Sequence, residues 1–138
     1  MKRVLLALIL SSSIAFAQSN AEKHAERIQT MQDLEAAMSF MQKGFLYNNE
    51  GMVKKGVMDF KDKLRNIDSF VIDVDNQGED RHNRFNPRAY ASVETKAISK
   101  LVDGVMDNFK NGNKDESIKY FHKTLDRCLT CHRVVRKW

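Results

Sequence analysis

Both cysteines of the chain lie in one short stretch near its C-terminus, CLTCH. Cys128 and Cys131 are three positions apart, and His132 directly follows the second cysteine. Paired cysteines at this spacing occur in thiol–disulfide exchange, in zinc sites, in short-range disulfides and in covalent haem attachment. These four chemistries make different demands on the rest of the chain, so the sequence discriminates between them.

The sequence disfavours three of these four chemistries. A thioredoxin-like thiol pair requires a strand that leads into the start of a helix, whereas this motif lies late in a helical pattern with no βαβ unit before it. A structural zinc site needs four ligands, but no second Cys-x-x-Cys is present and the other histidines are scattered at His24, His82 and His122. A disulfide between residues three apart closes too small a loop to stabilise the fold much.

Haem attachment uses every residue of the motif. In a c-type site the two thiols add to the vinyl groups of haem, and the adjacent histidine binds the iron from one side. Because a helical turn carries three to four residues, a helix presents Cys128 and Cys131 on one side with His132 beside them. We therefore expect one covalently attached haem c, held by Cys128 and Cys131, with His132 as an iron ligand.

The first residues, MKRVLLALILSSSIAFAQ, are typical of a secretory signal peptide. A basic start precedes a short apolar run, and the small residues before Gln18 provide a signal-peptidase site, so we expect residues 1–17 to be removed. Removing 17 of the 138 residues leaves one domain of 121 residues, 18–138. We expect this domain to be periplasmic, and haem is attached to such proteins outside the cytoplasmic membrane.

The charge balance of the chain is mild. The full chain has 23 basic and 18 acidic residues, and removing Lys2 and Arg3 leaves 21 basic residues and a formal charge of +3. Because the two signs are interspersed, we expect no nucleic-acid partner. The mature chain also lacks the roughly 20 consecutive apolar residues of a membrane-spanning helix, so we expect no stable membrane insertion.

Apolar residues that recur every three or four positions predict an all-α fold. The first helix should run from about residue 20 to residue 47, and Asn48 and Asn49 should end it and cap the second helix. After a polar crossover loop, Asn86 and Pro87 should begin the third helix. Two tight turns and one longer connection predict an antiparallel four-helix bundle with haem bound to the C-terminal helix.

The apolar stripes define the faces that we expect to turn inward. On the second helix the stripe is Val53, Val57, Phe60, Leu64 and Ile67. On the third helix the stripe is Val93, Ala97, Leu101, Val105 and Phe109. On the fourth helix, Phe121 and Leu125 precede the cysteine motif and should pack against the haem.

An exported four-helix bundle of this size, with Cys-x-x-Cys-His on its last helix, resembles the cytochrome c prime family and its low-spin relatives. The family carries a basic residue four positions after the haem-binding histidine, which is Arg136 here. The low-spin relatives carry an Arg-x-x-x-ligand pattern on the first helix, which Arg27 and Met31 match. The resemblance covers the whole mature chain, although the stretch MQKGFLYNN does not match the best-known members and leaves the subfamily open.

The resemblance implies a role for each matched residue. Arg136 should pack beside His132, and Met31 should face the iron from the first helix. Arg27 is a candidate partner for a haem propionate, although an exposed helical arginine needs no such role. The family often forms antiparallel dimers through its first two helices, which makes a homodimer one of the partners to consider.

The group opposite His132 decides what the haem does. Met31 in that position gives a six-coordinate, low-spin iron suited to electron transfer, with Met38 as the next candidate. Methionine also fills irregular gaps in cores, so both residues have a purely structural interpretation as well. If neither binds, the iron is five-coordinate and open to NO or CO.

We therefore expect a periplasmic monohaem c-type cytochrome that transfers single electrons between other redox proteins. The alternative is a five-coordinate haem protein that binds small gases. A peroxidase would need an acid and a base beside the iron, whereas the first helix offers Met31, Leu34 and Met38, so we do not expect an enzyme.

Overall fold

The fold is described by a computed structural model for residues 2–67 and 86–136, with side chains described from Glu22 onward except for Lys23 and Arg136. These residues form four helices and no strand, which confirms the predicted all-helical class for the described part of the chain. The helices are α1 (Lys2–Leu46), α2 (Glu50–Leu64), α3 (Pro87–Lys110) and α4 (Lys114–Arg136).

Asn49 and Asn86 begin helices at the positions that the sequence predicted, and a glycine lies in the turn between α3 and α4. The Asn49 side chain accepts a hydrogen bond from the backbone N–H of Met52 at 3.0 Å and so caps α2. The Asn86 side chain accepts one from the N–H of Ala89 at 2.9 Å and caps α3 in the same way. Between α3 and α4, Gly112 takes a φ of +81°, a conformation that glycine adopts without steric cost.

Helices α1 and α2 form an antiparallel pair with closely packed backbones. Lys63, late in α2, forms an ion pair with Asp33 at 2.9 Å, whereas Gly56, earlier in α2, lies against Met41 of α1. Residue numbers therefore rise in one helix as they fall in the other. The three-residue connection between the two helices requires this arrangement.

Helices α3 and α4 form a second antiparallel pair. The hydroxyl of the buried Ser117 donates a hydrogen bond to the backbone carbonyl of Val105 at 2.6 Å. Further along, Arg127 of α4 forms an ion pair with Glu94 of α3. These two contacts lie ten residues apart along α4, and together they hold the segment that precedes the cysteine motif against α3.

The two pairs meet where α2 packs against α3. Lys61 forms an ion pair with Asp103, and the end of α2 at Leu64 lies beside Thr95 near the start of α3. The predicted crossover loop falls largely on residues 68–85, which lie outside the described residues.

Buried apolar side chains from all four helices form one core. At one end, Phe45 of α1 packs against Phe109 of α3 and Phe121 of α4, with ring centroids 5.8 Å and 5.4 Å apart. This aromatic cluster closes the space between α1 and α4 at that end. The other end of the same space is open and holds the candidate site.

The inward face of α3 differs from the predicted one. The buried residues of this helix are Ala91, Glu94, Ile98, Val102, Val105 and Phe109, whereas the predicted Val93 is 63% exposed. A stripe in strict steps of four residues rotates around a helix by about 40° per step, because a turn contains 3.6 residues. The predicted stripe therefore rotates away from the core, whereas the buried residues follow one another in a mixture of three-residue and four-residue steps.

Helix α1 begins further upstream than predicted. It runs without interruption from Lys2, through the segment predicted as a signal peptide, to Leu46. Its apolar start contains good helix formers, so the helical conformation extends into it. Within the described residues, no helix combines the length and the apolar character that a membrane crossing requires.

Candidate cofactor site

An apolar cavity of about 310 Å³ lies in the open half of the bundle, and all four helices contribute to its walls. Its volume is at the lower limit of small-molecule and cofactor sites, which is about 300 Å³. The floor consists of core residues from α2 and α3, namely Phe60, Leu64 and Ile98. The cavity therefore connects directly with the hydrophobic core.

The motif on α4 lines one side of this cavity. Cys128, Cys131 and His132 all contribute to the wall, together with Leu125 and Leu129 one turn apart. Both leucines are 44% exposed, because the cavity opens on that side. The sequence predicted that the two cysteines and the histidine would share one face of a helix, and the structure places all three at the same cavity.

Helix α1 lines a different wall with two methionines and a leucine. Met31 and Met38 are partly buried against the core, and Leu34 lies between them with an exposure of 7%. All three line the cavity. The two thioether sulfurs thus belong to the same cavity as the imidazole of His132, on another helix.

Burial makes both thiols weak acids. Desolvation raises the pKa of Cys128 to about 11, and the neighbouring Cys131 adds to the shift. Desolvation also raises the pKa of Cys131, with a further contribution from the negative charge of Glu94. Both cysteines are free of disulfide bonds, so at neutral pH they are neutral thiols. Disulfide oxidoreductases need a lowered thiol pKa, so these shifts argue against that chemistry here.

A buried acid interrupts the apolar lining. Glu94 of α3 is 5% exposed and contributes to the cavity wall. Arg127 of α4 donates from Nη1 to both of its carboxylate oxygens, at 2.9 Å and 3.0 Å. The same corner holds Tyr90, whose pKa is raised by desolvation and by the charge of Glu94.

Three other residues that the sequence analysis assigned to the haem site do not belong to the described lining of the cavity. Arg27 is partly exposed on α1, one turn before Met31, and does not line the cavity. Arg136 is the last residue of α4, and its side chain lies outside the described part of the structure. Phe121 was expected to pack against haem, but it packs against Phe45 at the closed end of the bundle.

Sequence reasoning missed Glu94 and Arg127. The signal for Glu94 is its position three residues after Ala91 and four before Ile98, which makes it a charge within the buried stripe of α3. Reading that stripe in steps of four from Val93 passes over it. Arg127 directly precedes Cys128, and only the contact across the helix pair distinguishes it from an exposed arginine.

The residues present suit a haem with two thioether attachments. The cavity offers two free thiols and an imidazole on α4, apolar walls for a planar macrocycle, and thioether sulfurs on α1. A comparison of the chain with protein-family models, with curated proteins and with solved structures gives no match.

Proposed function

We propose that this protein is a periplasmic monohaem c-type cytochrome, similar to the cytochrome c prime family, that transfers single electrons between other redox proteins. The observation that carries this proposal is that Cys128, Cys131, His132 and Met31 line one apolar cavity. Export fits the same assignment, because the N-terminal segment has the pattern of a signal peptide.

Each residue of the site has a role in this proposal. The sulfurs of Cys128 and Cys131 would hold the haem through thioether bonds, each formed by addition of a thiol across a vinyl double bond. His132 would bind the iron from α4, and Met31 would bind it from α1. When bound, the haem supplies an iron that exchanges one electron between its ferric and ferrous forms.

The rest of the bundle keeps this site apolar and fixed in shape. Leu34, Leu125 and Leu129 give the cavity an apolar lining. The ion pair of Glu94 with Arg127 and the hydrogen bond of Ser117 hold α4 against α3. The polypeptide then has no substrate chemistry of its own to perform, so we propose a carrier and not an enzyme.

The gas-binding alternative has one specific observation in its favour. Leu34 lies between Met31 and Met38 on the α1 wall and is itself buried at the cavity. If the iron lay opposite this leucine, neither thioether would bind it. The protein would then be a five-coordinate haem protein open to NO or CO.

Mass spectrometry of the exported, mature protein tests haem attachment. We expect the mass of the 121-residue chain plus one haem, and we expect the haem to resist acid–acetone extraction. The double variant Cys128→Ser with Cys131→Ser is the matched control and should show the bare chain. A mature wild-type protein without a haem adduct would refute the proposal.

An absorption spectrum of the ferric protein separates the two functions. Six-coordinate, low-spin iron with a near-infrared sulfur-to-iron band is the expected result for electron transfer. High-spin iron that shifts its spectrum when CO or NO is added to the reduced protein would replace this function with gas binding.

A further inference from the structure

Glu94 is a buried carboxylate in the cavity wall to which the proposed function gives only a structural role. It is 5% exposed, and it lines the cavity together with Cys131 and His132. Acidic residues are almost never fully buried unless they are paired, because an isolated charge loses its hydration in an apolar environment. Its position in this wall therefore calls for an explanation beyond packing.

The partner of Glu94 faces outward. Arg127 Nη1 donates to both carboxylate oxygens, at 2.9 Å and 3.0 Å, so the carboxylate is held in one orientation. The side chain of Arg127 is 47% exposed, whereas that of Glu94 is 7% exposed. The negative end of the pair thus lies at the cavity and the positive end lies toward solvent.

This asymmetry matters because water screens the two charges differently. A charge in a low-dielectric wall acts on its neighbours over several ångströms, whereas water and salt weaken the field of an exposed guanidinium. Tyr90, one turn before Glu94, has a pKa that is raised first by desolvation and next by the charge of Glu94, whereas the charge of Arg127 opposes the rise and has the smaller effect of the two. The net field inside the cavity is therefore that of an anion.

We propose that Glu94, held by Arg127, sets the reduction potential of the haem by stabilising the oxidised iron. Reduction by an external redox protein adds one electron and removes one positive charge from the iron. A fixed anion in the wall favours the more positive, ferric form and so lowers the potential. This inference rests on the proposed function, and it makes Glu94 a positioning residue and not an iron ligand.

Potentiometric titration of the haem-loaded protein tests this role. Glu94→Gln removes the charge with little change in shape, and we expect it to shift the reduction equilibrium about tenfold toward the ferrous form, which is about 59 mV for a one-electron couple. Glu94→Asp keeps the charge and should stay close to the wild type. Glu116→Gln is the matched control, because Glu116 forms an exposed ion pair with Lys119 on α4 and does not line the cavity. The reduction potential of the haem in this variant should equal that of the wild type.

A second variant keeps the test decisive if Glu94→Gln does not fold. Arg127→Gln leaves the carboxylate without its cation, so we expect the potential to move in the opposite direction, below that of the wild type, when both proteins are titrated at alkaline pH, where a carboxylate keeps its charge. Loss of packing alone would move both variants the same way. A potential that rises or stays constant in Arg127→Gln, or does not rise in Glu94→Gln, overturns the inference while the proposed function stands. A wild-type protein without haem refutes the proposed function itself.

Discussion

The thioether sulfurs of Met31 and Met38 lie two helical turns apart on α1, and both residues line the cavity that His132 lines from α4. In the proposed haem site, only one of the two sulfurs could bind the iron together with His132. Met31 has the additional pattern with Arg27, which lies one turn before it and is partly exposed. We therefore propose Met31 as the iron ligand and a position in the cavity wall for Met38.

Met31→Ala should convert the ferric protein from low-spin to high-spin and abolish the near-infrared sulfur-to-iron band. The physical reason is that alanine provides no ligand, so His132 would be the only protein side chain that binds the haem iron. Met38→Ala is the matched control, because it removes a methionine from the same wall and should retain the band. Absorption spectra of both purified ferric variants decide the matter. If Met38→Ala loses the band and Met31→Ala keeps it, the assignment of the two methionines is reversed.

At the scale of residues, the shared position of side chains could be predicted where it depends only on their spacing along one helix. Cys128, Cys131 and His132 could be assigned to one helical face because a turn of helix fixes their relative directions. Glu94 could not be assigned in this way, because its importance comes from Arg127, which is 33 residues away along the chain. Such a contact depends on how α3 and α4 are rotated against each other, and local spacing carries no information on that rotation.

Helices α1 and α2 approach each other closely at Gly56. A Cβ atom built on this glycine would lie 2.6 Å from Met41 Cγ and 2.9 Å from the backbone carbonyl oxygen of Ala37. Gly56→Ala should therefore push the two helices apart and reduce the free energy of unfolding by about 1–3 kcal/mol, the usual cost of overpacking. Denaturant unfolding of the purified variant measures this change.

The control for that prediction is Gly51→Ala on the same helix. Gly51 is exposed, and its Cβ would meet only the side-chain oxygen of Asn49 at 3.3 Å. Because alanine favours helix more than glycine does, the free energy of unfolding should stay within about 0.5 kcal/mol of the wild type or increase. Equal destabilisation by both variants would mean that the packing of α1 against α2 is looser than the structure indicates.

The ion pair of Asp33 with Lys63 links α1 to α2 and should make stability depend on pH. The hydrogen bond from Lys63 lowers the pKa of Asp33 below its ordinary value of 3.8, and a hydrogen bond from Gln29 adds to the shift. A carboxylate with a lowered pKa stabilises the fold above its unfolded pKa, and this contribution disappears as the pH falls through the folded pKa. Asp33 therefore contributes at pH 7 and loses its contribution below about pH 4.

Asp33→Asn should reduce the difference in unfolding free energy between pH 7 and pH 3, since asparagine does not titrate. Urea unfolding at the two pH values measures this difference for the wild type and the variant. Asp126→Asn, at an exposed position on α4, is the control and should leave the difference unchanged. An equally large difference in the wild type and in Asp33→Asn would contradict the role given to this ion pair.

At the scale of elements, the ends of the helices were more predictable than their faces. Asn49 and Asn86 cap their helices as expected, because a capping side chain bonds to the backbone only three residues away. The buried face of α3 was predicted correctly at Val105 and Phe109 and wrongly at Val93, because only packing against α2 and α4 selects between neighbouring apolar stripes. The aromatic cluster of Phe45 with Phe109 and Phe121 was likewise not visible in any one helix.

The bundle as a whole is well packed at one end and open at the other. Phe45 joins α1 to α3 and α4 at the closed end, whereas the open end contains the cavity of about 310 Å³. Leu125 and Leu129 are each 44% exposed there, so apolar surface meets water unless something covers it. Haem in this cavity would bury that surface, and the folded chain would depend on it.

The variant that carries both Cys128→Ser and Cys131→Ser tests this dependence. A group that binds the folded chain at 1,000 times its Kd stabilises it by about 4 kcal/mol, and an attached haem should contribute at least as much. For a domain of this size, that corresponds to a fall in the midpoint of thermal unfolding of more than about 10 °C. Far-ultraviolet circular dichroism follows the loss of helix on heating, and it does not depend on the absorption of haem in the visible range.

Thr130→Ser separates the loss of haem from a change in the motif itself. Thr130 lies between the two cysteines without lining the cavity, and its hydroxyl, which serine retains, accepts a hydrogen bond from Arg133 at 3.1 Å. This variant should carry haem and unfold at the wild-type temperature. The double serine variant can be compared with it directly: if that variant also unfolds at the wild-type temperature, the open end of the bundle is stable without a bound group. Leu125 and Leu129 then remain in contact with water without loss of stability. The exposed apolar surface would then suit contact with another protein better than contact with a macrocycle.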